Sequence, residues 1–394
     1  MAKRKKEEDP NEPKDFLTSL VGELKTLNPY AETMHNSKIY DITDWIDFGI
    51  PALNMIVSSR FDRGAPAGRI VQLYGQSQSG KSLIASYAGR NAQKKNYYIA
   101  LFESEFGETK ESLLNKGLDP KKTILIPIKT LDAWHKGIRK IIDLKMKKPD
   151  EKIMIITDSI GNIGSEYEST KLIEGKVDQG HRQKKIRSIF KDITIDIGIT
   201  QIPFLFTNHT YENPGQAIKP KEQNISGGGG TKFMPTITVQ FDLGSAIKQG
   251  SDGAEEIIGR VLKPYTVKNR VVPPYQSARI DLYFQTGFPK FTGLLEVAVK
   301  HELLSMEAGK VYIPHLPKVK RQRNGKKIED HPVFTVSDIM DGELGDKVWL
   351  PIMDELQKRC EEDNSYFSPE IEAKVSEEMK TVPSEDLEDN GKED

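Results

Sequence analysis

Apolar positions follow two rhythms along this chain. Near the start, Phe16, Leu17, Leu20, Val21, Leu24 and Leu27 recur every three or four residues, which puts them on one stripe of a helix. Asn28-Pro29 stops that helix, because the residue before a proline is steered out of the helical region. So short a helix is marginal alone, and its stripe must pack on its own core or on a neighbouring subunit. From about residue 65, short apolar runs alternate with stretches of helical spacing. IVQLY (70–74), YYIALFE (97–103), TILIPI (123–128), KIMIITD (152–158) and PFLFTNH (203–209) read as buried strands. Most are separated by segments long enough for crossover helices. The alternation predicts an α/β core with a mostly parallel sheet covered on both faces.

Composition narrows the partners. Lys plus Arg number 57 and Asp plus Glu 58 in 394 residues, which excludes a uniformly basic coat for nucleic acid but leaves room for local basic surfaces. Residues 376–394 hold eight acids and two lysines, a net of −6, and lack apolar periodicity. That composition predicts a disordered tail, either solubilising or regulatory. KVKRQRNGKK (318–327) carries six basic residues around Asn324-Gly325, a hairpin-turn signal with basic flanks. The only cysteine, Cys360, excludes an intrachain disulfide and a cysteine-based zinc site, and fits a reducing, cytoplasmic setting. Apolar runs such as IMII (153–156) are too short to span a bilayer, so no membrane is expected. The first residues, MAKRKKEEDPNEPK, have charge but no apolar stretch, so they do not read as a secretory signal.

The strongest chemical signal follows the first core strand. GQSQSGKS, that is Gly75, Gln76, Ser77, Gln78, Ser79, Gly80, Lys81 and Ser82, matches the phosphate-binding loop in full, between a strand and a helix. Gly75 and Gly80 let the backbone curl until its N–H groups converge on phosphate oxygens, and the helix N-terminus adds positive dipole. Lys81 reaches the β- and γ-phosphates and the Ser82 hydroxyl binds magnesium, which implies ATP and Mg²⁺ as ligands. A later strand, KIMIITD, ends in Asp158, whose carboxylate would lie beside the loop and hold magnesium through water. Between them, YYIALFE runs into SEFG. Glu103 and Glu105 share a face if the strand continues, and either is placed to activate an attacking water.

LFESEFGET, the D-S-x-G-N of Asp158–Asn162, TNHTYE (207–212), SGGGGT (226–231) and TVKNR (266–270), taken in this order, resemble the RecA recombinase superfamily. The likeness runs from about residue 45 to about 310 and leans toward the UvsX branch of large phages. The phosphate loop is shared by many ATPases, whereas the ordered set is far more specific. The resemblance implies a RecA-like P-loop ATPase core. It selects Glu105 over Glu103 as catalytic base and matches Asp158 to the magnesium-side aspartate. It makes His209 the sensor of the γ-phosphate, and Lys268 and Arg270 a basic pair reaching across a filament interface to a neighbour's ATP. Read on their own, Lys268 and Arg270 are a solvated strand face. The sequence departs from the family at Ser112, where a tyrosine often stacks on adenine.

Two segments resemble the family's DNA-binding loops. The first, near 162–178, offers Lys171 and Lys176. The second, between Asn208 and Thr231, offers Tyr211, Lys219, Lys221 and the glycines Gly227, Gly228, Gly229 and Gly230. So long a loop in a compact core is usually functional or disordered. Four glycines predict mobility, the lysines meet phosphates, and a single aromatic favours backbone contact over base stacking. The expected organisation is a polymerisation arm (1–45), an ATPase core (46–286), a small C-terminal α/β domain (287–360) and an acidic tail (361–394). The implied activity is an ATP-dependent DNA strand-exchange recombinase. Its partners would be single-stranded and double-stranded DNA, further copies in a helical filament, a recombination mediator and a single-strand-binding protein. A hexameric helicase of the same ATPase class and a non-catalytic DNA-coating protein are the alternatives.

Overall fold

The structure, a computed structural model, describes residues 16–167, 179–211, 224–225, 228–250, 255–307, 310–323 and 326–364. Side chains at a few positions within these elements, Tyr211, Gly228 and Gly229 among them, lie outside that description. The chain divides into two units, Met1–Thr43 and Asp44–Asp394.

In the first unit the apolar stripe forms α1 (Phe16–Leu27). Phe16, Leu17, Leu20, Leu24 and Leu27 are exposed along it. The helix ends as the Asn28-Pro29 signal predicts: the Asn28 N–H still donates to Leu24 O at 2.9 Å, and the Asn28 side-chain oxygen accepts the Tyr30 N–H at 3.0 Å.

The second unit opens with β1 (Trp45–Ile46), α2 (Pro51–Ser58) and β2 (Ala65–Pro66). The alternating pattern follows as β3 (Ile70–Gly75), α3 (Lys81–Lys94), β4 (Tyr98–Glu103), α4 (Lys110–Asn115), β5 (Thr123–Pro127), α5 (Leu131–Lys147) and β6 (Ile153–Asp158). Next come α6 (Gln179–Thr200), β7 (Phe204–Tyr211), β8 (Asn224–Ile225), α7 (Gly228–Phe233), β9 (Ile237–Gln249), β10 (Glu256–Asn269) and β11 (Ile280–Tyr283). These strands make one nine-stranded sheet in the order β11-β10-β9-β3-β7-β6-β4-β5, with β8 on β7. The run from β9 through β5 is parallel, and β10 and β11 extend it antiparallel. This is the α/β architecture the periodicity predicts.

Strand alternation builds two cores. On β4, Ile99 and Leu101 face one hydrophobic cluster with Ile84 and Ala88 of α3, whereas Ala100 and Phe102 face a second with Trp134 of α5 and Phe190 of α6. Trp134 meets Phe190 edge-on at 5.8 Å, and its indole N–H donates to Thr157 Oγ1 at 3.0 Å. Outside this core, His135 and Asp192 (2.7 Å), Lys185 and Asp132 (2.7 Å), and Arg139 with Asp196 pair α5 with α6.

Residues 287–360 contribute α8 (Leu294–Lys300), β12 (Ser305–Glu307), β13 (Lys310–Tyr312), β14 (Val319–Arg323), β15 (Lys326–Asp330), β16 (Val333–Thr335), α9 (Gly342–Trp349) and part of α10 (Met353–Asn364). Phe291, Leu294, Ile339, Trp349 and Leu356 join the same cluster as α3, so this segment shares the core of the sheet. β14 and β15 pair antiparallel with Arg323 opposite Lys326, the hairpin that Asn324-Gly325 signals. No helix among the described residues is long and apolar enough to cross a membrane.

Candidate functional site

Parallel register collects the chemistry at one edge of the sheet. Gly75 at the end of β3 lies opposite His209 on β7, and Glu103 at the end of β4 lies opposite Asp158 at the end of β6. Parallel sheets bind ligands in the crevice beyond these carboxyl ends.

The phosphate loop leaves β3 where a close approach demands glycine. A Cβ on Gly75 would stand 2.4 Å from the Phe241 carbonyl oxygen of β9. Gly80, just before α3, has φ +73°, the left-handed region open to glycine. Lys81 is only 4% exposed, and its ammonium folds back onto Gly75 O (3.1 Å), Gln76 O (2.7 Å) and Ser79 Oγ (3.1 Å). Burial pushes it down to about 8, against the pull of Asp158 and Glu105. Gln76, Ser77 and Gln78 are exposed at the crest of the loop.

Asp158 sits deep beside this loop, hydrogen-bonded by the hydroxyls of Thr207 and Ser82. Burial raises its pKa, the two hydroxyls oppose that, and the nearby Glu105 and Glu108 add to it. A half-buried carboxylate joined to a serine hydroxyl is an oxygen-only donor set, which suits a hard cation such as Mg²⁺. Among the described residues no group of three or more His, Cys, Asp or Glu is arranged to hold a metal.

The two glutamates part company. β4 ends at Glu103, so the strand does not continue and the expected shared face is not formed. The Glu103 carboxylate accepts backbone N–H groups of Glu105 (3.2 Å), Phe106 (2.8 Å) and Gly107 (3.4 Å). Glu105 instead turns toward the loop. One of its oxygens meets His209 Nε2 at 2.7 Å and accepts the Ser159 hydroxyl at 2.6 Å. The His209 hydrogen bond holds its carboxyl below the usual range, with Ser159 and the charges of His209 and Lys81 assisting against partial burial. The backbone N–H of His209 donates to Asn208 Oδ1 at 2.9 Å, and Asn208 is fully buried.

Sequence reasoning missed the residues that fasten this cluster. The Ser104 hydroxyl donates to Ser159 O at 2.7 Å and accepts the Ser159 N–H at 3.1 Å, tying the end of β4 to the end of β6. The Arg182 guanidinium donates to Ile160, Gly161 and Ile163 carbonyls at 2.7, 2.8 and 2.9 Å, bracing the turn after Asp158 from α6. The two serines had one signal, adjacency, since Ser159 follows Asp158 and Ser104 precedes Glu105, and Arg182 had none. Ser112, at the position where the family often has tyrosine, is held within its own turn: its N–H donates to Thr109 Oγ1 at 3.0 Å and its hydroxyl to Glu108 at 2.5 Å.

Other expected site residues lie elsewhere. Lys268 on β10 pairs with Thr238, which is level with Gln72, so it stands well back from the phosphate loop toward the opposite edge of the sheet. Its ammonium donates to Phe233 O at 2.5 Å, and burial, with Arg270 nearby, pushes it down to about 8. Arg270 is exposed just beyond β10. Within one subunit neither reaches Lys81. Lys171, Lys176, Lys219, Lys221 and Gly227 fall outside the described residues, as does the Tyr211 side chain at the end of β7. Part of the glycine run departs from the expectation. Gly228, Gly229 and Gly230, expected in a mobile loop, open helix α7. Gly230 is buried, and a Cβ there would stand 2.9 Å from the Arg187 backbone nitrogen, so glycine lets α7 press onto α6.

The RecA N-terminal domain family matches residues 44–289. The chain belongs to the RecA family. Among its relatives, the recombination and repair protein of Enterobacteria phage T4 is 29% identical over 272 residues, covering 67% of this chain and 66% of that protein. Protein RecA of Petrotoga mobilis is 28% identical over 252 residues, covering 61% and 62%. Protein RecA of Clostridium botulinum strain Alaska E43 is 24% identical over 304 residues, covering 76% and 81%. The chain thus spans just under two thirds of the length of the first two of these relatives. In this RecA-family chain the matched region covers β3 to β11, and with them Lys81, Glu105, Asp158 and His209.

Proposed function

We propose that this RecA-family protein is a DNA-dependent ATPase and strand-exchange recombinase that polymerises on single-stranded DNA, with ATP bound between subunits. The observation that carries the reading is the convergence of Lys81, Ser82, Asp158, Glu105 and His209 at the carboxyl edge of β3, β6, β4 and β7. The family match and relatives named for recombination, repair and RecA support it.

The phosphate loop, Gly75–Ser82, cradles the triphosphate with its backbone N–H groups. Lys81 leaves its contacts on Gly75, Gln76 and Ser79 and turns to the β- and γ-phosphates. Ser82 and Asp158 would hold Mg²⁺, which neutralises charge on those oxygens. Glu105, kept ionised by His209 and Ser159, takes a proton from the attacking water. His209 contacts this base and would border the γ-phosphate, so loss of that phosphate would alter the hydrogen bond that positions Glu105. Lys268 and Arg270 would complete the site of the adjoining subunit, linking filament assembly to nucleotide state.

DNA would run along the segments carrying Lys171, Lys176, Tyr211, Lys219, Lys221 and Gly227–Gly230, with contacts mainly to phosphates. The basic hairpin β14–β15 would gather double-stranded DNA, and the acidic tail would tune access to it or dock a recombination mediator or single-strand-binding protein. The setting would be the cytoplasm, that of the host if the chain is phage-encoded. Electron microscopy with single-stranded DNA and a slowly hydrolysed ATP analogue tests the reading. Helical filaments are expected. Closed rings would favour a helicase, and coating without nucleotide would favour a passive DNA-binding protein.

A further inference from the structure

We infer that Glu103 is a positioning residue that aims Glu105 at the nucleotide by organising the backbone between them. The inference rests on Glu105 being the base and adds a device that the likeness to RecA proteins does not supply.

Three consecutive N–H groups, those of Glu105, Phe106 and Gly107, converge on the Glu103 carboxylate at 3.2, 2.8 and 3.4 Å. Successive backbone N–H groups form such an anion-binding hollow only when the chain curls out of the extended form. Here the curl puts Phe106 at φ +54°, a left-handed conformation disfavoured for any residue with a Cβ. Packing of the ring does not explain this conformation, because Phe106 is 81% exposed. Strain of this kind persists only where surrounding contacts over-determine it, and the Glu103 carboxylate holds the N–H of Phe106 and of both its neighbours.

The curl has one chemical consequence. The chain leaves β4 at Glu103, and Glu105, two residues on, swings back to reach Ser159 at 2.6 Å and His209 at 2.7 Å. Ser104 fixes one flank of this excursion through its two bonds to Ser159. Glu103 fixes the other. Its oxygens are occupied by backbone donors, which also explains why it does not share the role of Glu105.

Glu103→Gln tests this. The amide puts an NH₂ where an oxygen received N–H groups, so the turn loosens while size is kept. DNA-stimulated kcat should fall about tenfold to a hundredfold, the cost of a misplacement of about 1 Å. KM for ATP should stay within about twofold, since no phosphate contact is touched. Hydrogen exchange over residues 104–108 should accelerate while that of β3 and β6 stays unchanged. The decisive variant adds Phe106→Gly, because glycine adopts φ +54° without help. The double variant should recover part of the lost kcat and slow the exchange again. A Glu103→Gln protein with unaltered kcat and exchange overturns the inference. So does a kcat loss that Phe106→Gly does not relieve and that leaves exchange unchanged, because Glu103 would then act in the chemistry itself. Glu105→Gln, measured alongside, separates this failure from that of the parent reading. If that protein hydrolyses ATP normally, Glu105 is not the base, and the positioning role falls with it even where exchange at 104–108 still responds to Glu103→Gln.

Discussion

Replacing His209 with alanine removes the strongest influence on the proposed base. In the structure His209 Nε2 lies 2.7 Å from Glu105, and that hydrogen bond leads the causes that lower the Glu105 pKa. A hydrogen bond to a charged group contributes about 1.5–3 kcal/mol when shielded. These side chains are 24% and 36% exposed, so solvent screening leaves about 1 kcal/mol. Ser159 remains at 2.6 Å as a second anchor, so Glu105 is loosened rather than released. One kcal/mol is a factor of about five, and kcat on saturating single-stranded DNA should fall by about that amount. The pH profile carries the sharper signal. A carboxylate with a lowered pKa stays ionised, and works as a base, to lower pH than an ordinary glutamate. Without His209 its pKa rises toward the ordinary value, so the acid limb of kcat must move to higher pH. Steady-state ATPase rates from about pH 3.5 to pH 9, a window that brackets the ordinary glutamate range, measure both effects. An alanine variant whose kcat and acid limb superimpose on the wild type would refute the coupling of sensor to base.

Other outcomes follow from the same geometry. Glu105→Gln should bind a fluorescent ATP analogue with near-normal affinity yet lose about 10²–10⁴ in turnover, and normal turnover would remove Glu105 from the chemistry. Free Lys81 has been pushed down to about 8, and bound phosphates must raise it. Its contribution to nucleotide affinity is therefore fully present below pH 8 and declines as pH rises above it, so a titration series that stays flat to about pH 9.5 contradicts the buried lysine. Trp134→Phe removes the indole donor to Thr157, which is itself fully buried, and shrinks a ring packed on Phe190. Denaturant unfolding should show a loss of about 2 kcal/mol, and an unchanged midpoint would mean that the bond does not form.

What the sequence disclosed and what it hid divide along physical lines. The core strands were legible because their apolar runs are continuous and flanked by turn residues, and α1 because its stripe ends at Asn28-Pro29. The phosphate loop was legible because its chemistry is local: eight consecutive residues carry the backbone curl, the lysine and the hydroxyl. The Glu105–His209 contact was not, since it spans more than a hundred residues and exists because β3 pairs with β7 and β6 with β4 in one register. Ser159 and Ser104 look like ordinary serines until that register makes them neighbours. The glycine run misled for a different reason. Glycine costs about 1 kcal/mol per helical residue relative to alanine, so propensity argues for a loop. Tertiary packing overrides that propensity, because a Cβ at position 230 would collide with the backbone of α6 where α7 now rests on it. Lys268 and Arg270 owe their assignment to resemblance, and one subunit does not bring them to the site they are expected to complete.

That separation makes the shared site the most exposed part of the proposal. In the proposed filament, Lys81→Ala would disable the phosphate side of the interface, and Lys268→Ala combined with Arg270→Ala the neighbour's side. Each protein alone should be nearly inactive on single-stranded DNA. Mixed, they create interfaces that pair an intact Lys81 with an intact Lys268 and Arg270, and DNA-stimulated ATP hydrolysis should rise above that of either variant, with a maximum at intermediate ratios. Hydrolysis that stays at the level of the separate variants at every mixing ratio would contradict an ATP site built between subunits.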